Sequence, residues 1–185
     1  MKLKIGQVAP AFIAPDLNGR PLRLADFRGR TILLSMYRAA ACPLCNVRTS
    51  VLINRYTPWR QNGVQLLAFF ESSPDAAHRY LDRLNSPFPI LLDPTHAIYQ
   101  TYGLGTSWIG AAYARLFRGS TYREARRLGI GADFIHNITD VDGHFARLPA
   151  EFVIGPDQRI RAAYYGRDPG DFMRIAQLDA YLARG

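Results

Sequence analysis

The chain has 185 residues, of which 48% are hydrophobic and 21% are charged. These values are typical of one globular domain with a sizeable core, and they exclude a disordered or fibrous protein. No apolar run reaches the ~18 residues of a membrane-spanning helix, and residues 1–12 lack the apolar core of a signal peptide. We therefore expect a cytoplasmic protein with no membrane partner.

The net charge of +8 would suit an acidic partner or nucleic acid. However, the arginines are scattered apart from one cluster, and no nucleic-acid-binding motif is present. We interpret the charge as a contribution to solubility and to molecular encounters, and nucleic-acid binding is not expected.

The N-terminal part predicts a short β-hairpin. Residues 6–15 carry two prolines, which is typical of an edge strand or extended arm. Asn18-Gly19 is a hairpin turn signal, and Leu22 and Leu24 alternate with polar neighbours as in a second short strand.

The stretch that follows carries the predicted chemistry. Residues 31–37 form an apolar run that predicts a buried strand. A helical pattern follows Cys42-Pro43-Leu44-Cys45, and Pro58 is expected to end that helix. Because Pro43 suits the first helical turn, Cys42 is expected at a helix N-terminus, just past the end of a strand.

That position favours an ionised thiol. Unpaired backbone N–H groups and the helix dipole stabilise negative charge there, and the thiolate is the nucleophile. Cys45, one turn later, can resolve an oxidised Cys42 by closing a short disulfide. Arg38 is predicted to be a second cation near the sulfur, and Cys45 is expected to be the more buried thiol.

The cysteine pair could also be chemically inert or part of a zinc site. An inert pair would behave as small buried hydrophobes, and a structural disulfide over so short a loop would constrain little entropy. A zinc site needs about four ligands, and the four histidines show no suitable spacing. The position of the pair after a strand therefore favours redox chemistry, and neither a metal nor another cofactor is expected.

Strands and helices then alternate as in βαβ units. The expected elements are a strand at 64–70, a helix from Pro74, a strand at 88–92 and a helix over 93–102 that Gly103 ends. This order predicts an α/β fold with a mostly parallel sheet, in which functional residues lie at the carboxyl ends of strands.

Residues 105–147 do not fit the alternation and form a probable insert within a single domain spanning 1–185. Residues 108–117 suggest a helix, and five arginines with one opposing glutamate make a basic cluster: Arg115, Arg118, Arg123, Arg126 and Arg127 against Glu124. The insert is either a lid, a binding element or an oligomer surface, or simply a solvated helix face, which we favour. Residues 140–143 predict a turn, and residues 151–165 and 172–182 predict a hairpin and an amphipathic C-terminal helix.

Four segments together resemble the peroxiredoxin branch of the thioredoxin-like superfamily. They are GQVAPAF, YRAAACPLC, PILLDPTHAIYQTYGL and LPAEFVIGPDQRIRAAYYG, and the resemblance covers residues 6–104 and 147–182. It implies a thioredoxin-like fold with a central mixed sheet flanked by helices and a peroxiredoxin-type N-terminal hairpin.

The resemblance also implies roles for individual residues. Cys42 matches the nucleophilic cysteine and Cys45 the second thiol of a CPxC variant, so a Cys42–Cys45 disulfide is expected during turnover. Pro149 matches the cis-proline beside the thiols, and Tyr37, Leu148 and Pro149 are expected to line the site.

The chain departs from the family pattern at four positions. Ser35 and Ala39 replace the usual proline and the usual Thr or Ser before the nucleophile, and Pro149 stands where peroxiredoxins place an arginine. Ala41 replaces the tryptophan that thioredoxin-like reductases carry before the first cysteine.

The sequence thus predicts a thiol-dependent peroxidase that reduces hydroperoxides with electrons from a thioredoxin- or glutathione-type donor. A thiol–disulfide oxidoreductase acting on protein disulfides is the alternative, and a non-catalytic binding domain that kept the fold is a second alternative. A homodimer is possible under each of these hypotheses.

Overall fold

The computed structural model describes residues 1–127 and 142–183, and a five-stranded sheet lies at its centre. Its strands are β3 (Ile32–Met36), β4 (Gln65–Phe70), β5 (Ile90–Leu92), β6 (Ala150–Ile154) and β7 (Ile160–Tyr165). They lie in the order β5-β4-β3-β6-β7. β4 pairs in parallel with β3 and β5, whereas β6 pairs antiparallel with β3 and β7. The sheet is therefore mixed, as predicted.

The N-terminal hairpin is confirmed. Its strands β1 (Ile13–Pro15) and β2 (Pro21–Arg23) pair antiparallel, and Gly19 adopts a positive φ in the turn between them. The second strand ends earlier than predicted. Leu24 is buried and begins a 3-10 helix (Leu24–Phe27), so its side chain anchors the hairpin on the core.

Within the described residues, six α-helices accompany the sheet. They are α1 (Pro43–Gln61), α2 (Pro74–Leu81), α3 (Ala97–Thr101), α4 (Trp108–Phe117), α5 (Gly119–Arg127) and α6 (Ile175–Leu182). None of the described helices is both long and apolar enough to cross a membrane.

The prediction that Pro58 ends the first helix is wrong, because α1 continues to Gln61. Proline removes the N–H that would bond one turn back and crowds the carbonyl four residues earlier, but tertiary contacts hold the final turn. Trp59 is buried there, and its indole N–H donates to the Asp179 carboxylate at 2.8 Å.

The helix expected over 93–102 is also shorter. The helix begins only at Ala97, and residues 93–96 form a turn before it. The Asp93 carboxylate accepts from the backbone N–H groups of Ile98 and Tyr99 in the first turn of the helix. Gly103, at φ +72°, follows the helix end as predicted.

The sheet separates two apolar clusters. Side chains alternate along β3, so Leu33 faces the cluster under α1 and α6, whereas Leu34 and Met36 face the cluster under the hairpin and α3. Cys42 and Cys45 belong to the first cluster. The cysteines thus lie within a packed core and not in a surface loop.

The predicted insert contributes α4 and α5, of which α5 packs against α1 through Ala125 and Val47. Arg118 of the basic cluster is paired with the buried Asp168 at 2.9 Å, so it is not part of a solvated face. The other four arginines of the cluster are exposed. The first half of the turn predicted at 140–143 lies outside the described residues.

Candidate active site

Cys42 occupies the predicted position, directly after β3 and at the N-cap of α1. Its backbone is extended, with φ −69° and ψ 116°, and Pro43 opens the helix. The backbone N–H of Cys45 donates to Cys42 Sγ at 3.4 Å. The positive N-terminal end of the helix dipole therefore stabilises a negative charge on a sulfur at this point.

Arg38 supplies a second positive group. Its Nε donates to Cys42 Sγ at 3.0 Å, and its Nη1 donates to the backbone carbonyl of Phe145. The guanidinium also faces the Phe145 ring, 5.2 Å from the centroid. Since Arg38 is 4% exposed, its charge acts on the sulfur in a low-dielectric environment.

The pKa values of the two thiols are shifted in opposite directions. Burial alone would raise the pKa of Cys42, but the hydrogen bond from the Cys45 thiol, together with the charge and hydrogen bond of Arg38, lowers that pKa to about 6. Burial and the neighbouring Cys42 raise the pKa of Cys45 well above its ordinary value. The lowered pKa favours Cys42 as the thiolate at neutral pH, whereas the raised pKa favours Cys45 as a neutral thiol beside it.

The expectation that Cys45 is the more buried thiol is wrong. Both side chains are completely buried, and both thiols are free. The difference in acidity arises from the mutual hydrogen bond of the thiols and from the Arg38 side chain, which donates to Cys42 Sγ. The charge and backbone of Arg38 also act on Cys45, but burial and the neighbouring Cys42 outweigh them there.

A buried asparagine clamps the loop that carries Cys42. Asn46 Nδ2 donates to the carbonyls of Ala40 and Cys42, at 2.6 and 2.9 Å. On the other side of the loop, the Ala40 N–H donates to Ser72 Oγ at 2.7 Å, and Ser72 in turn donates to Asp142. These contacts fix the backbone from which the Cys42 side chain projects.

The segment 142–147 holds Arg38 in place, and Glu71 anchors that segment. The Glu71 carboxylate is fully buried, accepts from the His144 backbone N–H at 2.8 Å and pairs with Arg147. Phe145 lies between these two anchors, so its carbonyl is directed at Arg38. Sequence reasoning missed Glu71 and Arg147, because their pairing depends on the fold alone.

Three predicted lining residues lie where β3 and β6 meet. Tyr37 is fully buried in the cluster that contains both cysteines, and its ring packs 4.9 Å from that of Phe70. Extending the β3–β6 register by one residue places Pro149 opposite Tyr37. Leu148 is half-buried and donates its N–H to Gly105.

The expected cis bond before Pro149 is wrong, since the described residues contain no cis peptide bond. The Pro149 carbonyl already accepts from the Gly166 N–H, which continues the β6–β7 pairing. A trans bond suits this extended entry into β6.

A second buried ion pair lies on the α1 side of the sheet. Arg48 donates to both Glu151 carboxylate oxygens at 2.9 Å, and Ser35 donates its hydroxyl to one of them at 2.9 Å. The backbone N–H of Met173 also donates to the Glu151 carboxylate, at 2.8 Å. Ser35, which departs from the proline of the peroxiredoxin pattern, therefore has a structural partner here.

The described residues contain no group of three or more His, Cys, Asp or Glu side chains placed to hold a metal ion. Two buried thiols alone do not supply the four ligands of a structural zinc site.

Comparisons with known proteins place this geometry in a family. The profile of the AhpC/TSA family matches residues 5–163. The chain is 28% identical to peroxiredoxin Bcp of Escherichia coli (strain K12) over 153 residues, which cover 81% of this chain and 87% of that protein. It is 28% identical to the thiol-disulfide oxidoreductase ResA of Bacillus thuringiensis (strain Al Hakam) over 105 residues, 56% of this chain and 60% of that one.

The fold is also similar to a solved one. The crystal structure of peroxidoxin BcpB from Mycobacterium tuberculosis superposes with a TM-score of 0.68 at 15% identity, covering 98% of this chain and 95% of that one. This likeness confirms the thioredoxin-like fold. With a family match across most of its length, the chain belongs to the AhpC/TSA family and is an oxidoreductase of the thioredoxin-like redoxin superfamily.

Proposed function

We propose that this protein is a thiol-dependent peroxidase in which Cys42 is the nucleophile. The observation that carries the proposal is the Arg38–Cys42 contact at a helix N-terminus, since it keeps a buried sulfur ionised at neutral pH. A thiolate that is both desolvated and held beside a cation is suited to attack an O–O bond.

The proposed reaction has two steps. The Cys42 thiolate attacks one oxygen of a hydroperoxide ROOH, the O–O bond breaks, and the released alkoxide takes a proton to leave as ROH. The sulfenic acid that remains on Cys42 is then attacked by Cys45, which forms the disulfide and releases water. A thioredoxin- or glutathione-type donor returns two electrons and two protons to restore both thiols.

The surroundings of Cys42 suit this cycle. Arg38 stabilises the thiolate and can stabilise the leaving oxygen, and Tyr37, Leu148 and Pro149 form the proposed walls. Because neither thiol is exposed, a hydroperoxide enters only when the cover over Cys42 opens locally. We further propose a cytoplasmic location, where the thiols rest reduced.

A second candidate is a thiol–disulfide oxidoreductase that acts on protein disulfides. The hydrogen-bonded CPxC pair favours it, since Cys45 already lies one turn from Cys42 with a high pKa. The match to the thiol-disulfide oxidoreductase ResA points the same way. The non-catalytic binding domain does not agree with the membership of the chain in a family of oxidoreductases and is not proposed.

Stopped-flow oxidation of the reduced protein distinguishes these candidates. We expect hydrogen peroxide to oxidise the wild-type protein faster than it oxidises a free thiol. Cys42→Ser should abolish the oxidation signal. Because Ala39 and Pro149 supply no side-chain donor, the rate should stay below that of a dedicated peroxiredoxin. Faster reaction with a protein disulfide than with any hydroperoxide would favour the second candidate, and a Cys42 unreactive toward both would refute the role assigned to it.

A further inference from the structure

Helix α4 exposes an apolar face. Five large side chains are exposed by 49–85%: Ile109 (85%), Leu116 (75%), Trp108 (67%), Phe117 (67%) and Tyr113 (49%). At 100° per residue they lie on one side of the helix, whereas Gly110, Ala111 and Ala114 face the protein. A contiguous apolar face of this kind marks a surface that another molecule covers.

Positive charge is concentrated on α4 and on α5, the helix that directly follows it. Residues 108–127 contain five arginines and one glutamate, which gives +4 of the +8 carried by the whole chain. Arg118 is matched by Asp168, but Arg115, Arg123, Arg126 and Arg127 are exposed. The molecule that covers this face is therefore expected to be negatively charged.

The chemistry of the face distinguishes between possible occupants. A second copy would bring two arginine clusters together, so like charges oppose that pairing. A protein partner usually makes about one hydrogen bond per 100–200 Å² of interface, yet this face offers only the Tyr113 hydroxyl and the Trp108 indole N–H. An anionic bilayer suits it better, because apolar side chains enter the acyl boundary while aromatic tips and arginines meet the headgroups.

We propose that the apolar α4 face docks on the surface of a bilayer that contains anionic lipids. The expectation of no membrane partner rested on the lack of a spanning segment, and surface docking needs none. The Trp108 ring stacks on that of Phe145 at 6.1 Å, and the Phe145 carbonyl accepts from Arg38. Docking therefore sets the thiol site at the membrane surface. The proposal does not depend on the peroxidase assignment.

Co-sedimentation of the full chain with vesicles tests the proposal. We expect binding to phosphatidylcholine vesicles that contain about a third phosphatidylglycerol, weaker binding to pure phosphatidylcholine, and a loss of binding as salt rises. Leu116→Ser/Phe117→Ser should weaken binding at least tenfold, because both side chains would be buried in the acyl boundary. Arg126→Gln/Arg127→Gln should weaken it on the order of 25-fold.

Matched controls change similar groups elsewhere. Val8→Ser removes an exposed apolar side chain, and Arg28→Gln/Arg30→Gln removes two exposed charges, so both should bind like the wild type. Failure of the wild type to bind anionic vesicles would overturn the proposal, as would equal losses in the controls. A dimer in sedimentation velocity that the Leu116→Ser/Phe117→Ser change dissociates, without vesicle binding, would assign the face to a second copy and also overturn it.

Discussion

Replacing Arg38 with methionine tests how the arginine acts on the thiol. The change keeps most of the side-chain volume but removes the charge and the Nε–Sγ hydrogen bond. Burial of Cys42 then acts with less opposition, so its pKa should rise from about 6 to at least the free-thiol value of about 8.5.

The effect on rate can be worked from that shift. At pH 7 the thiolate fraction falls from about 90% to about 3%, roughly a 30-fold loss. A thiolate of higher pKa is more nucleophilic, with a Brønsted coefficient of 0.4–0.5, which restores about tenfold. If Arg38 acts through the pKa alone, Arg38→Met therefore lowers the oxidation rate only about threefold at pH 7. A donor to the leaving oxygen is worth a further ~10²–10³-fold.

The assay is the second-order rate of peroxide oxidation between pH 5 and pH 10, measured by stopped flow. We expect the midpoint to move up and the plateau at high pH to stay far below that of the wild type, since Arg38 is also proposed to stabilise the leaving oxygen. Arg28→Met, which removes an exposed cation, should change neither value. A midpoint that stayed near 6 in Arg38→Met would refute the assignment and leave the Cys45 hydrogen bond and the helix N-terminus as the stabilising groups.

Four further predictions concern the thiols and their loop. Alkylation of the reduced protein across pH should label Cys42 first, and mass spectrometry giving Cys45 first would reverse the two roles. Cys45→Ser should leave oxidised Cys42 as a trapped sulfenic acid or mixed disulfide, which full turnover by the mutant would contradict. The pKa of Cys42 is depressed in the folded state, so its contribution to stability is complete above the unfolded value of about 8.5 and is lost as pH falls through about 6. Chemical denaturation should therefore show that the free energy of unfolding of the reduced wild type, minus that of Cys42→Ser, grows by about 1.4 kcal/mol for each unit of rising pH in that window. Ala39→Thr should speed peroxide oxidation by supplying a hydroxyl, provided that the buried position accepts the larger side chain; Ala39→Ser tests the same point with less overpacking.

The local parts of the site were predictable from sequence. The apolar run before Cys42, the proline after it and the three-residue spacing to Cys45 are all short-range signals, and each leads to the observed strand, N-cap and thiol pair. The Arg38 contact followed for the same reason, since four residues separate it from Cys42.

The rest of the site joins segments that are distant in sequence. Phe145 reaches Arg38 across 107 residues, and Arg147 reaches Glu71 across 76. No periodicity or spacing reports such pairs, because only the sheet topology places the end of β4 and the entry to β6 at the same edge of the sheet, on either side of the end of β3. Pro58 failed as a helix stop for a related reason: tertiary contacts of Trp59 outweighed a local rule.

The pairing of Arg48 with Glu151 has a consequence for how this family can diverge. Removing either partner leaves an uncompensated buried charge, which typically costs ~3–5 kcal/mol, whereas replacing both with apolar residues of similar volume is often neutral. Single substitutions at these positions are therefore disfavoured more strongly than the double exchange, which still leaves the Ser35 hydroxyl and the Met173 N–H without their acceptor. Homologous sequences should show the two positions changing together, so that a relative with an apolar residue in place of Arg48 also lacks the acid in place of Glu151.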